Sequence, residues 1–271
     1  MKRNRTSWLA AGASFLLAAF SPQAQAAQVI YNTGDLLLAF RASAGQGQNE
    51  SLLVNIGPSG TFTGAGANDV INLSLGNLGT DLVNQFGANW HERTDLSWSV
   101  FGANNPAVTT AELFASRAQL TFGTNATAWP GISNNANRVT TRSAIVSVAN
   151  AFDLLDATTN STVAALQTNS SDVSSYSRQV TFGSFDFGTV SQWTNIEGNF
   201  GAGSEALNLF RVFSSTTNLG KFTISEAGQV TFNGTGVDIT AVPEPSKALF
   251  GMMGAGALFL RRRRPSAKAS V

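Results

Sequence analysis

Large apolar residues recur at intervals of two along much of the chain, a spacing typical of β-strands. In residues 95–101, DLSWSVF, apolar side chains including Trp98 alternate with serines, which predicts a strand with one buried face. Short apolar runs bounded by Gly, Asn or Pro predict buried strands at 35–42, 51–56 and 205–213. Residues 220–232, GKFTISEAGQVTF, predict a β-hairpin that turns at Glu-Ala-Gly.

Two stretches follow the helical period instead. Apolar residues between 141 and 155 fall on one stripe of a helix, and a shorter helix is predicted at 81–86. A further helix is expected at 161–166, whereas the polar residues 168–177 are typical of an exposed connection. The chain is therefore predicted to be mainly β, an antiparallel β-sandwich-like domain with one or two inserted helices.

The beginning of the chain differs from this domain. Three basic residues within the first five precede an apolar run over 8–20, and Ala24 and Ala26 follow as small residues. This order is that of a secretory signal peptide cleaved by signal peptidase before Ala27. The apolar run is short for a membrane-spanning helix, so we expect residues 1–26 to be removed.

The end of the chain also has its own pattern. Pro243, Glu244 and Pro245 precede residues 248–260, which are 13 uncharged and mostly apolar residues. As a helix they would be about 20 Å long, against a hydrocarbon core of about 30 Å, so they predict a marginal membrane span. Four arginines follow at once and should stay on the cytoplasmic side, which leaves the preceding domain outside. These are Arg261, Arg262, Arg263 and Arg264.

This combination of motif, apolar stretch and basic cluster, behind a signal peptide, resembles the PEP-CTERM sorting signal of exported Gram-negative proteins. The resemblance implies recognition by an exosortase, removal of the tail near Pro243–Pro245, and delivery to the cell surface, often among exopolysaccharide. Residues 27–241 are also similar to uncharacterised PEP-CTERM proteins in their GDLLLAFRA opening and FTISEAGQVTF closing segments. That second similarity implies no activity.

Three segments follow: a signal peptide at 1–26, an exported domain at 27–241 and a sorting signal at 242–271. The whole chain has 17 basic and 16 acidic residues, but nine of the basic and one of the acidic residues lie in the two ends. Residues 27–242 thus carry eight basic and 15 acidic residues, a net charge of −7. An acidic surface disfavours nucleic acid as a partner. With no cysteine, the exported domain must be stabilised by its core.

Catalytic chemistry has little support in the sequence. His91 is the only histidine, no metal-ligand spacing or GxSxG motif occurs, and neither a metal nor a cofactor is predicted. Carboxylate pairs such as Asp153 with Asp156, or Glu197 with Glu205, leave a glycoside hydrolase as an alternative. Trp129 and Trp193 are the candidates for stacking on sugar rings, with Trp129 before Pro-Gly the one expected to be exposed.

These observations predict a non-enzymatic, exported protein of the cell surface or extracellular matrix, structural or adhesive, that crosses the inner membrane transiently through residues 248–260. A carbohydrate-binding module is the alternative, and a secreted glycoside hydrolase comes after it.

Overall fold

The computed structural model describes residues 27–189, 193–202 and 206–236. Their strands are β1 Asp35–Ala42, β2 Glu50–Pro58, β3 Val70–Asn72, β4 Leu96–Ala103, β5 Leu113–Ala118, β6 Ala164–Thr168, β7 Gly198–Asn199, β8 Ala206–Val212, β9 Thr216–Ile224 and β10 Val230–Gly234. The helices are α1 Ser59–Thr63, α2 Leu78–Phe86, α3 Asn135–Phe152 and α4 Tyr176–Thr181, with 3-10 turns at Trp90–Glu92, Asp186–Gly188 and Phe200–Ala202.

All ten of these strands belong to one antiparallel sheet, in the order β3-β10-β9-β8-β5-β4-β1-β2-β6, with β7 paired to β4. The mainly β prediction is confirmed. The sandwich arrangement is not what the described residues show, because their strands form a single sheet whose two faces are covered by helices and loops.

The sheet is strongly curled. Helix α1 follows β2, near one edge, yet its Phe62 packs against Phe222 of β9 and Phe232 of β10, near the other edge. The ring centroids lie 5.3 and 5.1 Å apart, respectively. We call the face that curls around Phe62 and α2 the inner face. Its core draws buried residues from β1, β2, β4, β5, β6, β8, β9 and β10.

The opposite, outer face carries a second core. Helix α3 contributes Ile145, Val148 and Phe152 to this core, which also contains Leu37 of β1 and Phe101 of β4. Asn134 begins α3 by accepting a hydrogen bond from Ala136 N at 2.8 Å. The helix predicted at 141–155 is thus confirmed, but it starts earlier because this cap lies earlier.

Most predicted strands are confirmed with small shifts of their ends, and β1 has the predicted bounds. The alternation in β4 also holds, since Leu96, Trp98 and Val100 lie in the inner core. However, β4 is buried on its outer face too, because Phe101 lies in the outer core and Ser99 is bonded to Tyr176 there. The prediction of one solvated face was wrong.

Two local predictions were wrong. Residues 161–166 were expected to be helical, but β6 occupies Ala164–Thr168 and pairs with β2, Leu52 lying opposite Leu166. Ala and Leu favour helices, but an available strand edge outweighs that preference. The second error concerns the end of the predicted connection 168–177: most residues from 168 to 174 are exposed as predicted, but Ser175, Tyr176 and Ser177 are buried.

Helix α2 is held close to the β9–β10 turn at Gly79. A Cβ atom added there would lie 2.1 Å from the carbonyl oxygen of Ala227. We expect Gly79→Ala to lower the free energy of unfolding by about 1–2 kcal/mol, since this clash outweighs the better helix propensity of alanine. Urea denaturation followed by tryptophan fluorescence measures the change.

Gly60 of α1 provides the matched control, because no atom lies within 4 Å of a Cβ added there. Gly60→Ala should leave stability unchanged or raise it by up to about 1 kcal/mol. Equal effects at the two glycines would show that α2 does not pack closely on the β9–β10 turn.

Candidate functional site

A charged pair lies on the outer face of the sheet. Arg41 of β1 points to this face because its neighbour Phe40 points into the inner core. Its guanidinium binds Glu197 through two hydrogen bonds, Nε to Oε1 at 3.0 Å and a terminal nitrogen to Oε2 at 2.5 Å. The side chains are only 13% and 12% exposed, respectively. Burial alone would lower the pKa of Arg41, but the bonds and charge of Glu197 raise it overall.

Two hydroxyl groups extend this pair into the protein. Tyr176 of α4 donates its hydroxyl proton to Glu197 Oε1 at 2.9 Å, and Ser99 Oγ lies 2.6 Å from the same tyrosine oxygen. Since the tyrosine proton points to the carboxylate, Ser99 acts as the donor to Tyr176. Burial and the negative charge of Glu197 raise the pKa of Tyr176 well above its usual value. The tyrosine therefore stays protonated and keeps its hydrogen bond to the carboxylate of Glu197.

Asp186 lies beside this network in the segment between α4 and β7. Its Oδ2 accepts a hydrogen bond from Ile196 N at 2.9 Å, and its own N–H donates to Trp193 O at 2.7 Å. Burial, together with the negative charge of Glu197, raises the pKa of Asp186 to about 7, although backbone hydrogen bonds act in the opposite direction. This carboxyl is thus half protonated near neutral pH.

The backbone around Asp186 is unusual. Phe187 and Asn195 have φ angles of 52° and 62°, in the left-handed region that side chains rarely adopt. Phe187 is fully buried and packs against Phe101, with ring centroids 4.9 Å apart. Strained backbone and shifted pKa values together mark a candidate functional site. We call Arg41, Ser99, Tyr176, Asp186 and Glu197 the outer-face network.

The chemistry that this network can perform depends on whether its carboxylate oxygens are free or already accept hydrogen bonds. A glycoside hydrolase needs a protonated acid and a free carboxylate, and the raised pKa of Asp186 suits the acid. However, both oxygens of Glu197 already accept hydrogen bonds from Arg41, and one also accepts from Tyr176. The hydrogen bonds of the network therefore join β1, β4 and α4 to Glu197, which directly precedes β7.

The two tryptophans proposed for sugar stacking are buried. Trp129 and Trp193 are 2% and 0% exposed, so neither ring offers a face to a ligand. Trp129 donates from Nε1 to Ser116 O at 3.2 Å, and the Arg117 guanidinium covers its ring at 4.2 Å. The expectation that Trp129 is exposed was wrong, because the Trp-Pro-Gly segment packs on the outer core instead of leaving it.

His91 lies in the 3-10 turn Trp90–Glu92, and its Nε2 is 3.9 Å from Glu226 of the β9–β10 turn. Its sequence neighbour Asp95 is bound by Arg93 at 2.6 Å rather than by the histidine. Among residues 27–189, 193–202 and 206–236, no three His, Asp or Glu side chains group together as metal ligands would. Glu205, which was paired with Glu197 as a candidate, lies outside these residues.

An open groove of about 570 Å³ lies beside the last residues of β2, Asn55–Pro58. Its lining includes the apolar Ile30, Ile56, Leu73 and Val163, and the polar Asp35 and Asn55. Asp35 Oδ2 already accepts from Asn55 Nδ2 at 2.8 Å and from Asn32 N at 3.1 Å. These polar side chains therefore bond to one another and hold the wall of the groove in place. The residues of the outer-face network do not line it.

The residues predicted to direct export are not among those described. Ala24 and Ala26, the motif Pro243–Pro245, the span 248–260 and the cluster 261–264 all lie outside them. Within the part of the chain that the structure describes, no helix has the length and apolar character to cross a bilayer.

Comparison of the chain with protein-family models, with curated proteins and with solved structures finds no match. The fold and the outer-face network thus define the class, an antiparallel β protein built on one curled sheet.

Sequence reasoning did not find the outer-face network. Arg41 and Glu197 are separated by 156 positions, so no local spacing links them. One signal was present: Arg41 is a charge inside DLLLAFRA, a run that is otherwise apolar after its first residue. A charge in such a strand needs a partner when it is buried, although the sequence does not say which.

Proposed function

We propose that this chain is exported, processed at both ends and delivered to the cell surface or extracellular matrix, where residues 27–241 act as a structural or adhesive domain. The observation that carries this proposal is the order of features in the tail. A Pro-Glu-Pro motif, a short apolar stretch and four arginines follow one another in a chain whose first 26 residues have the pattern of a signal peptide.

Two observations on the described domain favour this proposal over a glycoside hydrolase and over a carbohydrate-binding module, respectively. Glu197, the carboxylate of the outer-face network beside Asp186, has both oxygens engaged by Arg41 and Tyr176. The tryptophans on which sugar binding was based are buried. A cysteine-free domain with a core on each face of its sheet is also suited to persist outside the cell without disulfides.

Mass spectrometry of the surface-exposed protein tests the proposal, in a Gram-negative host that encodes an exosortase. We expect the surface form to begin at Ala27 and to lack Arg261–Arg264 and everything after them. Replacing the motif by Pro243→Ala, Glu244→Ala and Pro245→Ala together should leave the tail intact and keep the protein in the inner membrane.

Glu226→Ala is the matched control, since it removes an exposed glutamate of the same charge outside the tail. It should be processed as the unchanged chain is. A surface form that retains residues 261–271 would contradict the sorting proposal, and so would normal processing of the triple variant. Deletion of the host exosortase should reproduce the effect of the triple variant.

A further inference from the structure

Lys221 is a cation whose side chain is largely buried and has no partner among the described residues. It is the only lysine in residues 27–241 and is 7% exposed, at the centre of β9. Among the described residues, no carboxylate lies within ion-pair distance of its ammonium group and no hydrogen bond involves it. The ammonium nitrogen is not one of the fully buried polar atoms that lack a hydrogen bond, so it reaches solvent while the rest of the side chain is buried. A cation held in this way, with no partner among the described residues, is available to a ligand.

The other cations of the described domain make the contrast clear. Six of its seven arginines have partners: Glu197 for Arg41, Asp95 for Arg93, Thr127 O for Arg117, Ala111 O for Arg138, Val108 O for Arg142 and the Phe182 ring for Arg178. Arg211 makes no such contact with the described residues either, but it is more exposed than Lys221. Of the two described cations that lack a partner, Lys221 is therefore the less exposed.

Lys221 belongs to a polar row that crosses the sheet. It lies directly opposite Asn208 of β8 on one side and Asn233 of β10 on the other. Directly opposite residues of antiparallel strands point to the same face. Because Phe222 and Phe232 point into the inner core, their neighbours Lys221 and Asn233 point to the outer face.

The side chains of the three residues in this row differ in how many hydrogen bonds they make. Asn208 is fully engaged: its Oδ1 accepts from Gln119 Nε2 at 3.0 Å, and its Nδ2 donates to Asn125 Oδ1 at 3.0 Å. Asn233 is 5% exposed, and its side chain makes no hydrogen bond to the described residues. Lys221 and Asn233, whose side chains have no hydrogen-bond partner among the described residues, thus stand directly opposite each other on neighbouring strands.

We propose that Lys221 and Asn233 form a binding site for an oxyanion, with a carboxylate as the ligand. One carboxylate oxygen would accept a charge-assisted hydrogen bond from Lys221 Nζ, and the second would accept from Asn233 Nδ2. The fixed amide of Asn208 bounds the site on the β8 side. A metal cation is disfavoured because the ammonium group repels it.

The charge of the domain limits how such a ligand arrives. Residues 27–242 carry a net charge of −7, so the overall field repels anions, and binding depends on the local contacts at Lys221. The carboxylate can belong to a free small acid or to a sugar acid within a polymer. The site is a property of the folded domain and does not depend on the sorting proposal.

Nuclear magnetic resonance of the full chain, labelled on lysine and held in a mild detergent, tests the site. The chain has four lysines, and Lys221→Met identifies the Lys221 signal by its loss. At constant ionic strength, sodium acetate should shift that signal saturably, while those of Lys2, Lys247 and Lys268 serve as internal controls. Glucose, which carries no charge, should have no effect.

A thermal-shift titration with acetate provides the second readout. Lys221→Met should weaken the apparent affinity at least about tenfold, and Asn233→Ala by about threefold or more. Arg211→Met removes a cation from the same sheet and should bind as the unchanged chain does. A trimer of galacturonic acid that binds more than about tenfold tighter than acetate would identify a polymer-borne ligand, whereas equal affinities would identify a free acid.

The proposal is overturned if acetate moves the Lys221 signal no more than the other three lysine signals. It is also overturned if Lys221→Met keeps the acetate-dependent rise in melting temperature. Failure of tail processing would not affect either readout.

Discussion

Glu197→Gln is expected to lower the free energy of unfolding by about 3 kcal/mol. The substitution keeps the size of the side chain but removes the charge that faces Arg41, whose guanidinium is held at 2.5–3.0 Å. The nearly buried guanidinium of Arg41 would then lack a counter-charge. The loss of stability is larger than for the same pair in water, because charges interact more strongly where water is excluded. Urea denaturation of the full chain near pH 7 measures the effect.

Glu226→Gln is the matched control for this experiment. Glu226 faces His91 at 3.9 Å from an exposed turn, so the same chemical change should alter stability by less than about 0.5 kcal/mol. The double variant Arg41→Met with Glu197→Gln should recover part of the loss, because it removes both charges together. Equal losses for Glu197→Gln and Glu226→Gln would show that the outer-face network contributes no stability.

The free energy of unfolding is expected to fall as the pH rises towards 7, through Asp186. Burial, with the charge of Glu197, raises the pKa of this carboxyl to about 7 in the folded chain, against 3.8 for an unperturbed group. Between these values the folded state holds a proton that the unfolded state has released, so folding is favoured at the lower pH. Above about pH 7 both states are ionised and the dependence ends.

Comparison with Asp186→Asn isolates this effect, because the asparagine keeps an oxygen for Ile196 N but does not titrate. From about pH 5 to about pH 8, the unchanged chain should lose about 2–3 kcal/mol relative to the variant. Two carboxylates with lowered pKa values, Asp95 and Asp172, favour folding at higher pH only below about pH 5, outside this range, and are common to both proteins. A difference that is constant with pH would contradict the assignment to Asp186.

The same measurement on Glu197→Gln separates the causes of the shift. Burial is the larger cause and the charge of Glu197 a smaller one. Removing that charge should therefore move the transition to lower pH without abolishing it. An unchanged transition would mean that burial alone sets the pKa of Asp186.

Local pattern was sufficient for most of the strands. The alternation in β4 and the hairpin of β9 and β10 could be predicted because each residue's face follows from its neighbours in sequence. Residues 161–166 could not be predicted in the same way. Their Ala and Leu residues are compatible with a helix, and only the neighbouring edge of β2 makes them a strand.

The outer-face network could not be predicted from spacing. Its members come from β1, β4, α4 and the segment 186–197, and their side chains meet only because the sheet brings these elements together. The burial of Trp129 and Trp193 has the same origin. Whether a loop tryptophan is exposed depends on what packs over it, and that information is not local.

By itself, the sequence determined the mainly β class, the hairpin of β9 and β10 and the negative charge of residues 27–242, because composition and alternation act locally. The export and sorting interpretation also comes from the sequence alone and stays a prediction. The tertiary structure decided that the strands form one curled sheet, that Trp129 and Trp193 are buried, and that Glu197 binds Arg41. It also decided that Lys221 lies opposite Asn233 with no partner among the described residues. Each of these depends on contacts between residues far apart in the chain, where burial removes water and makes the partner of every charge decisive.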